Sequence, residues 1–413
     1  MSPHTPPLTN QSPEAGIPSN ISKIYLFSYF WMALIILPIF VPYLLDLGLS
    51  MAEILKLQAF YGICVMLFEV PTGYVSDILN RKASLVIGSF ISAVGFSFLP
   101  WITEYWQLMV YEGALAFGYT LVSGTDLAIF YDSLPLKSER AESTRGIARI
   151  KSAHVFSEAV ASIVSGFLIM VSFAAVIWAQ VIVAWIPFFI TLGLKEPIRH
   201  KMDGHTHIEN FKGVFKHMFA STSLMRLISI NYIFWGLATF FAVWTYQKFW
   251  LVEGISLTHF GWVWAVMHIL VGLVAQRVHT WEKRFGPVLL LWLLCLLPPA
   301  GYILMSVLNS WWAVSMCLLF SVSRGITQVL MSDAFNWRIP NASRATANSI
   351  VSMLFRTSFA LFAPLMGYSI DQMGVRFTYT ILGVVFGIGA IVVMWPLIIK
   401  VRKLSIDEIP HKP

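Results

Sequence analysis

Apolar residues run in stretches of about twenty along nearly the whole chain, separated by short polar or basic segments. Each run is long enough to cross a hydrocarbon core of ~30 Å as a helix. The pattern predicts twelve spanning helices, at 23–47, 52–79, 82–101, 106–134, 144–171, 173–194, 224–252, 257–280, 286–307, 310–336, 344–371 and 376–400. Ten-residue segments of alternating polarity are missing, which argues against a membrane β-barrel. Most connections are a few residues long. The one long interior connection, 195–223, divides the chain into a six-helix half at 23–194 and another at 224–400. Within it, Phe211, Val214, Phe215, Met218 and Phe219 recur on one helical face while Lys212 and Lys216 lie off it. That pattern predicts an amphipathic helix lying on the membrane surface. Residues 1–22 are polar and Pro-rich without the apolar core of a signal peptide, and read as a disordered tail; 401–413 form a second tail.

Composition agrees with an all-α polytopic membrane protein: 57% of residues are hydrophobic, 12% are charged, and mean hydropathy is +0.71. Charge adds an orientation. The formal net charge of +7 is concentrated in alternate loops. These hold Arg81/Lys82, Lys137/Arg140/Arg145, Lys195/Arg199/Lys201/Lys212/Lys216, Arg277/Lys283/Arg284, Arg338/Arg344 and Lys400/Arg402/Lys403. The opposite loops hold only Lys56, Lys248 and Arg376 near helix ends. The positive-inside rule then puts both termini and the central connection in the cytoplasm, and explains the basic balance without a nucleic-acid partner. The expected location is a plasma membrane, bacterial inner membrane in particular.

Cysteines and histidines add little. Cys64, Cys295 and Cys317 all fall inside predicted spans and read as small apolar filler. His205 and His207 come without the Cys or carboxylate cluster of a metal site and read as solvated loop histidines. No metal or other cofactor is expected, and nucleotide-binding glycine motifs are absent from suitable contexts, so any transport would draw on an ion gradient.

Six ionisable residues fall near mid-membrane: Glu69, Asp126, His154, Glu158, Arg324 and Arg356. A central charge facing lipid costs roughly 2.5–3.5 kcal/mol, so six would cost on the order of 15 kcal/mol; they must face a wet cavity or one another. Lys151, His154 and Glu158 share a face, as do Arg324 with Gln328 and Ser352 with Arg356. The acids and His154 lie in the first half and both arginines in the second. Two readings are open. The arginines hold an anionic or zwitterionic substrate while the acids exchange protons, or they neutralise Glu158 and Asp126 as ion pairs between the halves. Some of these groups are alternatively buried structural pairs. A carboxylate in a poorly hydrated cavity can exchange protons near neutral pH. Glu158 is the first candidate proton carrier, with His154 one turn away; Asp126 and Glu69 come second. Arg324, Arg356, Gln328, Tyr29 and Trp235 are candidates to line the cavity, although periodicity does not separate cavity aromatics from packing.

The stretch "FEVPTGYVSDILNRKASL" carries a more specific signal. Gly73-x-x-x-Asp77-x-x-x-Arg81-Lys82 resembles the signature loop between the second and third helices of the major facilitator superfamily, with Ile78 replacing a usual base and Asn80 a usual glycine. Asn best replaces glycine in a left-handed turn. The resemblance extends to the twelve spans and the six-plus-six split, and implies inverted 3+3 repeats in each half. It also implies a cytoplasmic latch between the halves: Gly73 lets helix 2 approach a neighbour, Asp77 faces the start of helix 11, and Arg81 with Lys82 provides the basic partners, Arg81 pairing with Asp132. "YDSLPLKSERAEST" and "SDAFNWRIPNASRAT" are a degenerate internal repeat. "SGTDLAIFYDSL" resembles a branch of bacterial permeases grouped with efflux proteins, whereas helix 5 lacks the Gly-Pro-rich pattern of drug antiporters.

The leading expectation is a secondary active transporter, a monomer, moving a small polar or ionisable organic solute with proton coupling by alternating access. Efflux antiport, facilitated diffusion and a non-transporting sensor on the same fold are alternatives. An intramembrane enzyme built on His154 is the least favoured.

Overall fold

The structure is a computed structural model that describes residues 17–78, 80–135, 140–197, 207–340 and 343–403, except for the side chains of 70, 74–78, 140–142, 144 and 207–210. The described residues are helical almost throughout. The amino-terminal part contains α1 (Pro18–Trp31), α2 (Phe40–Asp46), α3 (Met51–Ile78), α4 (Arg81–Phe98), α5 (Tyr105–Val122), α6 (Thr125–Ser133), α7 (Arg140–Leu168) and α8 (Phe173–Leu192). The connecting helix is α9 (His207–Lys216). The carboxy-terminal part contains α10 (Ser223–Val252), α11 (Leu257–Phe285), α12 (Pro287–Val307), α13 (Ser310–Ser315), α14 (Cys317–Ile326), α15 (Ser332–Trp337), α16 (Arg344–Met373), α17 (Val375–Gly389) and α18 (Trp395–Arg402).

Among the described residues, ten helical stretches are long and apolar enough to cross a membrane. The two remaining predicted spans differ for physical reasons. The seventh helix, α7, has the length, but its ionisable residues lower its hydropathy. The first span is broken: α1 stops at Trp31 and the helix resumes through a 3₁₀ turn at Leu37–Ile39 into α2. Buried amides satisfy the exposed backbone of this break. Gln180 on α8 accepts from Ile36 N (3.3 Å), while Gln247 on α10 accepts from Val41 N (2.9 Å) and donates to Leu37 O (2.8 Å). Irregular backbone at membrane depth persists only when protein groups or water satisfy it. The fourth span is broken as well, at Gly124, whose φ of 78° suits glycine. The tenth and twelfth spans each contain a π-helical turn, Thr327–Met331 and Ala390–Met394.

Helix packing follows the sequence closely. A Cβ at Gly88 would lie 2.8 Å from Gly118 O, so α4 and α5 touch backbone to backbone. Pro298 in α12 removes the N–H that would bond Leu294 O, and Ser323 from α14 donates to that carbonyl instead (3.2 Å). The three cysteines are free and buried.

Two expectations near the connections need correction. Residues 17–22, assigned to a disordered tail, belong largely to α1: Pro18 begins the helix, and buried Asn20 donates to Ser133 Oγ (3.0 Å) and Lys195 O (2.7 Å). The amphipathic face of the connecting segment is also divided. Val214 and Met218 are buried against the bundle, while Phe211 and Phe215 remain exposed. His205 and the His207 side chain lie outside the described residues.

Candidate functional site

The two parts meet along two antiparallel helix pairs, α3 with α16 and α7 with α11. Contact is tightest at the end away from the basic loops. There a Cβ on Gly367 would lie 2.6 Å from Met51 O, and one on Gly261 would collide with Ser162 O and lie 2.6 Å from Gly166 N. Asp371 accepts from Met51 N (3.0 Å) and Ala52 N (2.8 Å) at the start of α3, where the helix dipole favours a carboxylate. Further along the pairs, toward the basic end, lie the ionisable groups.

One cluster forms between α7, α11 and α14. Glu158 Oε2 lies 2.6 Å from His268 Nδ1, both side chains being largely buried. Arg324 and His154 act electrostatically on the same carboxyl group. Arg324 lines a cavity of ≈ 20 Å³, room for about one water, together with His268, Tyr246 and Ser321. The Tyr246 and Ser321 hydroxyls and His154 Nε2 are buried without a protein hydrogen-bond partner. His268 is the functional candidate that sequence reading missed. It sits in the apolar run "WAVMHILVG", and the signal that identifies it is the general rarity of an ionisable residue inside a span.

The second cluster joins α3 and α5 to α16. Glu69 hydrogen-bonds Ser349 and lies in the field of Arg356. The Arg356 guanidinium sits 5.8 Å from the Tyr119 ring centroid, a cation–π distance, while its Nε donates to Ser352 Oγ (3.3 Å). Arg356 therefore faces Glu69 and Tyr119, not Asp126 as the paired-charge reading expected. Asp126 lies in the first turn of α6 and accepts from Leu127 N (2.8 Å), so it serves the helix break after Ser123. Among the described residues no salt bridge joins it to either arginine.

The remaining candidates divide by environment. Trp235 is wholly buried, donates to Asn231 Oδ1 (3.0 Å) and packs against Phe234 and Phe386, so it is a core residue of the second part and not a cavity wall. Tyr29 is half-buried, its ring against Phe156 and its carbonyl accepting from Ser157 Oγ (2.5 Å). Gln328 is exposed within its π-helical turn.

At the basic end, Arg81 donates to Asp132 and to Ala128 O (2.6 Å). Glu196 accepts from Arg81 N (3.1 Å) and Lys82 N (2.8 Å), completing the start of α4. These contacts all stay within the first part and the start of the connection that follows it. The Asp77 side chain, the expected link to the other part, lies outside the described residues. Gly73 does not bring α3 close to a neighbour: a Cβ there would meet nothing within 4 Å. The glycine is exposed.

A family model described as the Major Facilitator Superfamily matches residues 24–356. An uncharacterized transporter of Buchnera aphidicola, BU466, is 28% identical over 199 residues. That match covers 45% of this chain and 47% of the relative, so it spans about half the length of the relative. Among solved structures, a mutant of the nucleoside transporter NupG superposes with a TM-score of 0.77 at 14% identity, covering 93% of this chain and 100% of that one. A POT family transporter in complex with 5-aminolevulinic acid gives 0.72 at 12% identity, covering 93% and 95%. A D-xylose-proton symporter gives 0.68 at 13% identity, covering 94% and 99%. At these identities the structures share the fold alone.

Proposed function

The chain belongs to the major facilitator superfamily and is an integral-membrane secondary transporter, not an enzyme; from that premise we propose that it carries a small polar or ionisable organic solute with proton coupling, and that Glu158 with His268 is the coupling pair. The observation that carries this reading is their 2.6 Å contact between α7 and α11, with Arg324 near by. A carboxyl and an imidazole in contact can share one proton, and a rocking motion of one half against the other would separate them. Proton occupancy and conformation are then linked, as alternating access requires. The bodies that rock are 23–194 and 224–400, with the basic loops and both termini in the cytoplasm.

Glu69 and Arg356 form the second contact between the halves. Arg356 and Arg324 are the proposed contacts for an anionic or zwitterionic solute, with Gln328 and Tyr29 as further proposed cavity residues. The reported ligands and cargoes of the superposed transporters include small polar organic molecules, which supports that substrate class. Efflux is the direction suggested by the resemblance of "SGTDLAIFYDSL" to efflux-grouped permeases.

The test is flux in proteoliposomes with an imposed pH gradient, using candidate solutes first selected by thermal stabilisation of the purified chain. Glu158→Gln should abolish concentrative transport while solute exchange at equal pH persists. An unchanged pH dependence of flux in this variant would remove Glu158 from the role. Specific binding without flux in the wild-type protein would instead identify a sensor.

A further inference from the structure

At the basic end of the carboxy-terminal part, a cavity of ≈ 640 Å³ opens between the π-helical turn His217–Ser221, the start of α10, the end of α15 and the end of α18. Arg338, Lys400, Lys403 and His217 line it, together with Ser221, Thr222 and Ser223. Among the described residues no carboxylate lines it. Among the described residues no ion pair neutralises Arg338, Lys400 or Lys403, although five salt bridges form elsewhere. The cations of this cavity stand apart from the clusters between the halves.

Its walls are held in place. His217 Nε2 lies 3.3 Å from Arg338 O and donates to it, and Arg338 Nη1 donates to Ala334 O (2.9 Å). Thr222 caps α10 by accepting from Met225 N (3.1 Å). The preceding N–H groups, at Ser223 and Leu224, have no acceptor inside the helix, and both residues line the cavity. Three cationic side chains and the positive end of a 30-residue helix converge on one space.

We propose that this cavity binds the phosphate of an anionic phospholipid headgroup. The shared chemistry is that of a phosphate ester; a lipid is favoured over a soluble anion by the surroundings. The cavity lies at the ends of membrane-spanning helices, and apolar side chains flank it. Trp337, over whose ring the Arg338 guanidinium sits at 5.7 Å, is 56% exposed. Along α18, Ile399 and Trp395 are exposed next to Lys400, where an acyl chain can lie. Phe215 is exposed on the adjoining α9. A headgroup seated here would contact the connecting segment through His217 and the second half through Arg338 and Lys400, joining the two.

Native mass spectrometry of the detergent-purified full chain tests this, with dioleoyl phosphatidylglycerol and dioleoyl phosphatidylcholine as probes. Phosphatidylglycerol should bind about tenfold more tightly than phosphatidylcholine, and Lys400→Gln with Lys403→Gln should remove most of that preference. Lys283→Gln with Arg284→Gln, on another loop of the basic end, should leave it intact. Equal binding of the two lipids, or equal loss in both pairs of variants, would overturn the proposal. Displacement of phosphatidylglycerol by millimolar inorganic phosphate would assign the cavity to a soluble anion and overturn the lipid reading. Both lysines are exposed, and an unchanged thermal midpoint in phosphatidylcholine would show that the variant is folded.

Discussion

Arg81 pairs with Asp132 as the motif implies, and its other contacts are equally local. Its guanidinium binds Asp132 and Ala128 O, and its backbone N–H reaches Glu196, so it ties α4 to α6 and to the end of α8. Asp132 and Ala128 belong to the same part of the chain, and Glu196 to the start of the connection that follows it. The pair is half-buried, which places its coupling near the upper end of the range for exposed pairs, at about 1 kcal/mol. A double-mutant cycle with Arg81→Ala and Asp132→Ala, read by thermal or denaturant unfolding, should return that value. The single Arg81→Ala change should lower stability without moving the balance between conformations. A shift in inter-half distances in that variant would restore it to a latch between the halves. His268 makes the complementary point: no motif marks it, and its partner Glu158 is 110 positions away in the chain, where helical periodicity has no reach.

At the scale of elements, the long helices were legible because an apolar run of about twenty residues has few alternatives in lipid. Their interruptions were not. The break in the first span is stabilised by Gln180 and Gln247, and the polar atoms that make it tolerable lie 144 and 206 positions away. Gly124 offered a local cue to the second break, since its positive φ is one that glycine adopts readily. The connecting helix was visible as an amphipathic pattern, but periodicity could not show that half of its apolar face is covered by protein. Trp235 failed in the same way: an aromatic inside a span reads identically whether it lines a cavity or fills a core. The Gln247 bridge leads to a direct prediction. Gln247→Leu leaves Val41 N–H unsatisfied, at about 1–3 kcal/mol, while Leu37 C=O keeps its bond from Phe40 N–H. Hydrogen exchange across 36–41 should accelerate, and the thermal midpoint should fall. Unchanged protection there would mean that the bridge contributes nothing to the break.

On the scale of the whole molecule, the halves are clamped backbone to backbone at the end away from the basic loops. Gly261 and Gly367 sit where α11 meets α7 and α16 meets α3, with backbone atoms of the opposing helix in the space a side chain would need. A neighbouring side chain could rotate away from an added methyl group, but a helix backbone can only move as a body. By contrast, Gly73 has open space around it at the basic end. Gly261→Val should therefore force apart the ends of α7 and α11 away from the basic loops, biasing the protein toward the opposite access state and slowing its return. Spin labels on those two helix ends should report a longer distance in the variant, flux should fall, and the purified protein should remain folded. Gly73→Ala provides the matched control, since its methyl group meets nothing and should leave both distance and flux unchanged. If Gly261→Val kept the wild-type distance and flux, the close approach would be packing that the transport cycle does not need to break and remake. A change in distance confined to Gly261→Val would tie the cycle to this crossing, where α7 also presents Glu158 to His268 two turns away.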